Sequence, residues 1–448
     1  MSTSSPGSAP RGQTPTGPDT GSPDKLRVAL GSAVGTTVEN YDFLAYGTAA
    51  ALYFGDAFFP GESPLAATLA SFATLGVGFA MRPIGGIIGG HLGDRLGRKP
   101  VLVGALLLMG VATTAIGFLP TYDQVGALAP ILLVLLRLLQ GIGFGAEWGG
   151  AILMTYEHAP LHRKGLYSAI PQAGVPLGLL LANVAFLIAA RFDSHLAWRI
   201  PFLLSALLIA AGLVIRLKVS ESPEFQALQR TDTIAKSPVA EVLRDDWRTV
   251  LRVIGLRLAE TGGFYAIVTY LLSYITSEGI AGHAVALTGL VLAASLGVCT
   301  TILFGRLSDS VGRRPLYLTG SLLTLAFGFP MFLLVNTGHT LAIVAAFVCG
   351  LALCHDALAG TQGAWFSELF DARLRTSGAS IGYQFSAAIS GFIPFIAAAL
   401  SGAWGWAGVA VLYCACGGIG VLASLVTPET RRRPAEQPLP GLSVAPTR

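Results

Sequence analysis

The chain has 448 residues, of which 53% are hydrophobic and only 12% charged, with a formal net charge of +4. Soluble domains carry about 25% charge, so this composition excludes a water-soluble globular protein and predicts a polytopic protein held in a lipid bilayer. The modest positive charge sits on loops between apolar runs, which excludes a nucleic-acid partner, and Cys299, Cys349, Cys354, Cys414 and Cys416 all lie within apolar runs, with no disulfide framework.

In chain order, residues 1–24 are rich in Ser, Pro, Gly and Thr, a composition that does not repay the entropy of ordering. A disordered cytosolic tail is expected there, and no cleaved signal peptide, because the first apolar run follows Lys25 and Arg27 and continues past a signal core. A membrane span takes roughly 20 apolar residues. About twelve such runs begin near residues 27, 65, 101, 128, 167, 198, 249, 285, 316, 341, 377 and 407, six in each half. Residues 25–216 are therefore predicted to form one six-helix bundle and residues 249–430 a second. The polar stretch 217–248, with Pro223 and Pro238, reads as a cytosolic linker, and 431–448 as a cytosolic tail.

The first span carries Glu39 and Asp42, three residues apart and so on one helical face, with Tyr46 one turn later. An ionisable group at a helix centre costs roughly 2.5–3.5 kcal/mol on insertion scales, so each needs a reason. A low-dielectric interior disfavours a charged carboxyl, and a second acid nearby adds to that. One of the pair is thus a candidate proton carrier, against the alternative of a fixed ion pair with Arg82 or Arg137.

The loop Gly90-His91-Leu92-Gly93-Asp94-Arg95-Leu96-Gly97-Arg98-Lys99 follows the second span. Its glycines suit a tight reversal, its Arg and Lys hold it on the cytosolic side, and Asp94 can face a helix N-terminus or pair with Arg98. The same pattern returns as Gly305-Arg306-Leu307-Ser308-Asp309-Ser310-Val311-Gly312-Arg313-Arg314, and the next residue matches too, Pro100 against Pro315. A motif repeated between equivalent apolar runs predicts two homologous halves and a transporter that rocks between them. Arg82, Gly90, Gly93, Asp94, Gly97 and Arg98 are candidate gating residues, as are Asp309 and Arg313 in the second copy.

Arg137 falls in the middle of the fourth span with Gln140 following on its face, and a planar guanidinium suits a carboxylate. Gln172 and Gln384 stand at equivalent distances after Arg163 and Arg375, extending the repeat. In the seventh span Arg257 and Glu260 are three apart, and Glu260 occupies about the place in its half that Glu39 holds in the first. The tenth span carries His355 and Asp356, which point about 100° apart on a helix; Asp356 is the favoured cavity group and His355 a protonatable partner. Proton coupling is accordingly assigned to Glu39, Asp42, Glu260 and Asp356, and solute contact to Tyr41, Tyr46, Arg137, Gln140, Gln172, Arg257 and Gln384.

His158 and His162 are four apart, but Pro160 lies between them and no further ligand group follows, so no metal site is expected. No Gly-x-x-x-x-Gly-Lys-Ser/Thr loop occurs, no cofactor is expected, and the energy source is predicted to be an ion gradient. Arg163, Lys164, Arg216, Lys218, Arg244, Arg248, Arg373, Arg375 and Arg431 to Arg433 fall on one side of the predicted spans, which puts both termini in the cytosol and the chain in the cell membrane.

The two Gly-rich loops resemble the signature loops of the major facilitator superfamily. Glu39 to Phe43 with Tyr46-Gly47, Arg82-Pro83-Ile84-Gly85-Gly86, Arg137 to Gly141 with Glu147 to Gly150, and Glu368-Leu369-Phe370 with Arg375 resemble its metabolite:proton symporters, over residues 27 to 430. Where that family usually has an aromatic residue, this chain has Asn40. Glu221 to Phe225 and Pro428-Glu429-Thr430 resemble the segments that follow the sixth and twelfth helices. The resemblance implies an all-α major facilitator fold and proton-coupled uptake, by a monomer, of a small organic metabolite: a dicarboxylate, a shikimate-like acid, proline or betaine. Two alternatives stay open, a proton-driven exporter of amphipathic compounds and a membrane sensor that binds without transport. Only part of the exporters' glycine-proline signature is present, around Gly174, Pro176 and Gly178.

Overall fold

The computed structural model describes residues 23–96, 98–147, 149–192, 197–218, 238–371 and 374–431. The tails expected at 1–24 and 431–448, and most of the linker 217–248, lie outside the described residues, as does Gly97.

Helix α1 runs Pro23–Leu52, and α2 is built from Pro64–Ala80 and Arg82–Leu96 with a turn at Met81. Ser63 starts α2 by accepting the Ala66 N–H at 3.2 Å, with Pro64 in the first turn where its missing N–H costs nothing. Helix α3 is Arg98–Gly117; α4 is Leu128–Glu147, with Gly149–His158 following; α5 is Lys164–Gln172 and Gly174–Ala189; α6 is Arg199–Lys218. In the second half α7 comprises Trp247–Tyr265, a π-helical turn Ala266–Leu271 and Leu272–Ser277. Helix α8 is His283–Val311, α9 is Arg313–Asn336, and α10 comprises Thr340–Val348, a second π-helical turn Cys349–His355 and Asp356–Glu368. Helix α11 begins as Arg375–Ser390 and runs on into Ile393–Val426, which turns at Gly405 (φ 63°) to become α12.

Hydropathy finds eight of these segments long and apolar enough to cross a bilayer, one of which, Ser377–Val426, contains both α11 and α12. The three it passes over are α1, the shorter α6 and α7. Two of them, α1 and α7, hold Glu39, Asp42, Arg257 and Glu260, whose charge lowers the hydropathy of these helices.

Helices pack within each half as α1 on α5, α3 on α4 and α6, and α9 on α12; across the halves α5 meets α8 and α10 while α2 meets α11. Lipid gives no hydrophobic drive between helices, so tight spans rely on small residues that let backbones touch. The seam of α2 on α4 shows this: a Cβ at Gly141 would lie 2.0 Å from the Gly78 carbonyl oxygen, and one at Gly145 would lie 2.0 Å from that of Arg82. That contact fixes the two arginines it flanks. Away from the basic end, Phe54, Phe58, Trp198 and Phe202 stack in the first half and Tyr274, Phe332 and Trp406 in the second.

Candidate functional site

The first half buries a polar chain. Asp42 is fully buried; its Oδ1 accepts from Ser205 of α6 at 2.5 Å and its Oδ2 from Thr113 of α3 at 3.0 Å. Gln140 Nε2 donates to the Thr113 hydroxyl at 2.7 Å, and Gln140 Oε1 accepts from Arg137 Nη1 at 3.0 Å. Asp42 is thus joined to Arg137 through two neutral side chains. The Arg137 guanidinium lies 4.0 Å from the Tyr46 ring centroid and 4.2 Å from that of Phe43, while among the described residues its Nε and Nη2 have no hydrogen-bond partner. Arg82 shares the same aromatic wall, 4.0 Å from Phe144 and 5.2 Å from Phe79, and its Nη2 is also without a partner. Arg82 Nε donates to Gln384 Oε1 at 3.0 Å and Gln384 Nε2 to the Gly145 carbonyl at 3.2 Å, so Gln384 of α11 ties the second half to α2 and α4 of the first. Glu39 is buried and close enough to act electrostatically on both Asp42 and Arg82.

The second half builds a different network. Arg257 pairs with Glu260 one turn on, donates from Nη1 to Gln362 at 3.1 Å and from Nη2 to the Tyr383 hydroxyl at 2.5 Å. Glu260 Oε1 accepts from Gln362 Nε2 at 3.1 Å and lies 3.1 Å from His355 Nε2; His355 Nδ1 lies 2.9 Å from Asp356 Oδ1. Asp356 turns to α8, where Thr300 donates to its Oδ2 at 2.5 Å.

At the basic end, the repeated loop of the second half reaches across to the first. Asp309 accepts from the backbone N–H groups of Gly165 at 2.8 Å and Leu166 at 2.9 Å, the first turn of α5, and from Arg313 at 2.8 Å. Arg313 in turn holds Glu368 of α10 at 3.1 Å, and Glu429 accepts from the backbone N–H groups of Arg313 at 3.1 Å and Arg314 at 2.9 Å. A carboxylate at a helix N-terminus meets the positive end of the helix dipole as well as its free N–H groups. A small cleft is lined by Ile152, Gln172, Gln362, Phe366, Arg375 and Ser380.

The residues singled out by sequence therefore do not share one site. Asp42, Arg137, Gln140 and Tyr46 gather in the first half, where Tyr46 bonds Thr74 at 2.6 Å. Tyr41 turns away to α6, donating to the Pro201 carbonyl at 2.7 Å. Arg257, Glu260, His355 and Asp356 form the second cluster, Arg82 and Gln384 bridge the halves, Gln172 lines the cleft, and Asp309 with Arg313 joins the end of α8 and the start of α9 to α5 and α10. Gly90, Gly93 and Asp94 lie in the last turns of α2 and Arg98 opens α3, with their side chains outside the described set. The structure adds Thr113, Ser205, Gln362 and Tyr383. Hydroxyls in spans usually bond their own helix four residues back, as Thr301 does not but Thr361 does at 2.9 Å, so sequence gives no signal for those that reach elsewhere. Gln362 had a signal in being an amide within an apolar span. Cys299 is exposed on α8 rather than in the core expected from its apolar run.

The sequence pattern of the Major Facilitator Superfamily matches residues 33–393 and 300–447. The chain is 41% identical to the shikimate transporter of Escherichia coli over 417 residues, covering 91% of this chain and 95% of that one. It is 36% identical to the inner membrane metabolite transport protein YhjE of the same organism over 91% of this chain and 95% of that one, and 31% identical to its proline/betaine transporter over 94% and 86%. Among solved structures, the proton:xylose symporter XylE bound to 6-bromo-6-deoxy-D-glucose aligns with a TM-score of 0.71 at 20% identity, covering 91% of this chain and 96% of that one. A partially occluded inward-open form of XylE from E. coli aligns with a TM-score of 0.68 at 18% identity over 92% and 99%. The twelve-helix arrangement, the repeated loop and these relatives make one case: the chain belongs to the major facilitator superfamily, as a multi-pass membrane protein for secondary active transport and not an enzyme.

Proposed function

We propose that this protein takes up a small organic acid or zwitterion together with protons, by alternating access between two six-helix bundles whose termini are cytosolic. The observation that carries this reading is the pair of buried guanidinium groups, Arg82 and Arg137, held on one aromatic wall with N–H groups that have no partner among the described residues. A buried cation with unused donors is a site for an anion, and the planar fork suits a carboxylate bidentately. The likeness to a shikimate transporter and a proline/betaine transporter supports the same class, since all three named solutes carry a carboxylate. Asp42 is the proton carrier in the first half, with Glu39 beside it. The chain from Asp42 through Thr113 and Gln140 to Arg137 lets the state of the acid and the occupancy of the arginine act on each other. Asp309 of α8, bonded to the start of α5, is one cytosolic latch, and Asp94 with Arg98 is its counterpart in the repeat. One proton moving with the membrane potential gains about 2.3 kcal/mol per 100 mV, enough to drive accumulation.

The test is external pH on adding shikimate, proline, glycine betaine or dicarboxylates to de-energised cells that overexpress the protein, against empty-vector cells. Alkalinisation with one solute, lost in Asp42→Asn or Glu39→Gln, is the expected result. No response to the whole panel, together with efflux of an amphipathic dye, would replace uptake by export.

A further inference from the structure

We propose that His355 is a second proton-holding site, in the second half of the chain, where its ring bridges Glu260 of α7 and Asp356 of α10; the proposal rests on the reading of the protein as proton-coupled. A neutral imidazole has one N–H and one lone pair, whereas ionised carboxylates only accept. His355 Nε2 is 3.1 Å from Glu260 Oε1 and Nδ1 is 2.9 Å from Asp356 Oδ1. With a neutral ring and two ionised acids, one of these contacts would set two lone pairs against each other. Both contacts are hydrogen bonds only if the cluster carries one more proton, on the ring or on one of the two carboxyls.

The described residues around the ring offer no other source of that donor. Glu260 Oε2 takes Arg257 and Thr261, Glu260 Oε1 also takes Gln362, and Asp356 Oδ2 takes Thr300. The groups facing the ring are Glu260 and Arg257 from α7, with the Phe264 ring 4.7 Å away, and Asp356 from its own helix. Helix α8 contributes the uncharged Thr300, α11 contributes Tyr383 through Arg257, and α9 contributes Tyr317, whose hydroxyl donates to the Leu256 carbonyl. Arg257 balances Glu260, so the added proton is the charge that balances Asp356. Without it a net negative charge is left among residues no more than 6% exposed, which is strongly disfavoured.

The place of the cluster makes the proton useful. A Cβ built at Gly297 of α8 would lie 3.2 Å from Asp356 Oδ2 and 3.0 Å from Pro176 of α5, so Asp356 stands at the contact between the two halves. Glu260, at the other end, shares Arg257 and Gln362 with the interior. The π-helical turn Cys349–His355 ends at this residue, and such turns let a helix shift its hydrogen bonds locally. Loss of the proton removes a donor between α7 and α10 and unsettles the α5–α8 contact.

The experiment uses the purified full chain labelled with 15N-histidine, and needs no solute. A free histidine is about 3% charged at pH 8. One of the seven histidines is expected to keep both ring N–H groups at that pH, a signal lost in His355→Gln, or else an infrared band of a protonated carboxyl is expected that disappears in Glu260→Gln or Asp356→Asn. Absence of both signatures from the wild-type protein at pH 8 overturns the proposal without any variant having to fold. In proteoliposomes, with the solute that alkalinises the medium in whole cells, accumulation by wild type is expected to fall with rising pH and that by His355→Gln to be at least tenfold lower and flat; an unaltered pH profile in the variant overturns the proposal while leaving proton-coupled uptake standing. If no solute is taken up at all, the coupled reading fails and the two spectroscopic signatures still decide whether the site holds a proton.

Discussion

Replacing Asp309 by Ala removes the carboxylate that caps α5 from across the two halves. In the structure it accepts two backbone N–H groups at 2.8 and 2.9 Å and is mostly buried, with 12% of its side chain exposed. Hydrogen bonds to a charged group contribute about 1.5–3 kcal/mol net, and the helix dipole adds roughly 0.3–1 kcal/mol. Arg313 keeps Glu368 as a partner, so no buried cation is orphaned, and once the face opens water satisfies the N–H groups. The closed cytosolic face therefore loses about 2–4 kcal/mol, a factor of roughly 30 to 700 in its equilibrium with the open one. Ser168 is fully buried in α5, against Gly363 of α10, and a cysteine there is reached only when the halves part. In a background without the native cysteines, a membrane-impermeant maleimide added from the cytosolic side of inverted vesicles should label Ser168→Cys faster in the Asp309→Ala protein by that factor. A control cysteine at Ser321, buried within α9, should label no faster. Equal labelling of Ser168→Cys with and without Asp309 would refute the latch, and equal acceleration at both sites would mean unfolding instead of opening.

Gly78→Val puts a Cβ 2.5 Å from Arg137 Nε and 2.8 Å from its Cγ, so the arginine must move; overpacking of this kind costs about 1–3 kcal/mol, read as a lower melting temperature together with lost uptake. Arg137→Lys keeps the charge but not the planar fork, and uptake of the carboxylate should fall at least tenfold in kcat/KM, while a fully active Lys variant would remove Arg137 from solute contact. Glu429→Ala uncaps α9 and should destabilise the detergent-purified protein by about 0.5–2 kcal/mol in thermal unfolding, whereas no shift would show that the cap contributes nothing.

The helix count and order were legible because each span needs its own apolar run, and the predicted starts fall within a few residues of the observed ones. The second copy of the Gly-rich loop made the duplication legible, down to Asp309 and Arg313. What could not be read was direction around each helix. Asp42 and Tyr46 were expected on one face, yet Asp42 turns to Thr113 and Ser205 while Tyr46 reaches Thr74 of α2, a divergence set by neighbours that are distant in sequence. His355 and Asp356 were expected to diverge and do, toward α7 and α8, but the π-helical turn that ends at His355 has no marker in an apolar run with one glycine. The partners of Gln384 were equally hidden, since they lie on two helices of the other half.

One stripe of α8 connects these pieces. Gly297, Thr301, Gly305 and Asp309 recur every four residues and so lie along one face. That face meets α5 throughout: Gly297 opposes Pro176, a Cβ at Gly305 would lie 2.2 Å from that of Ala169, and Asp309 caps Gly165 and Leu166. A Cβ at Gly165 would lie 2.4 Å from the Gly305 carbonyl oxygen, so near Asp309 α5 and α8 touch by backbone, with the Arg313 guanidinium beside them. Such a contact parts as a rigid body. Its upper end is in contact with Asp356, which shares the proposed proton with His355, and its lower end carries Asp309, the proposed latch of the cytosolic face. Because both ends are on one unbroken helix, a change at Asp356 that moves α8 against α5 is felt at Asp309 without a separate relay, and the double variant Asp309→Ala with Asp356→Asn should open the face by less than the product of the two single effects.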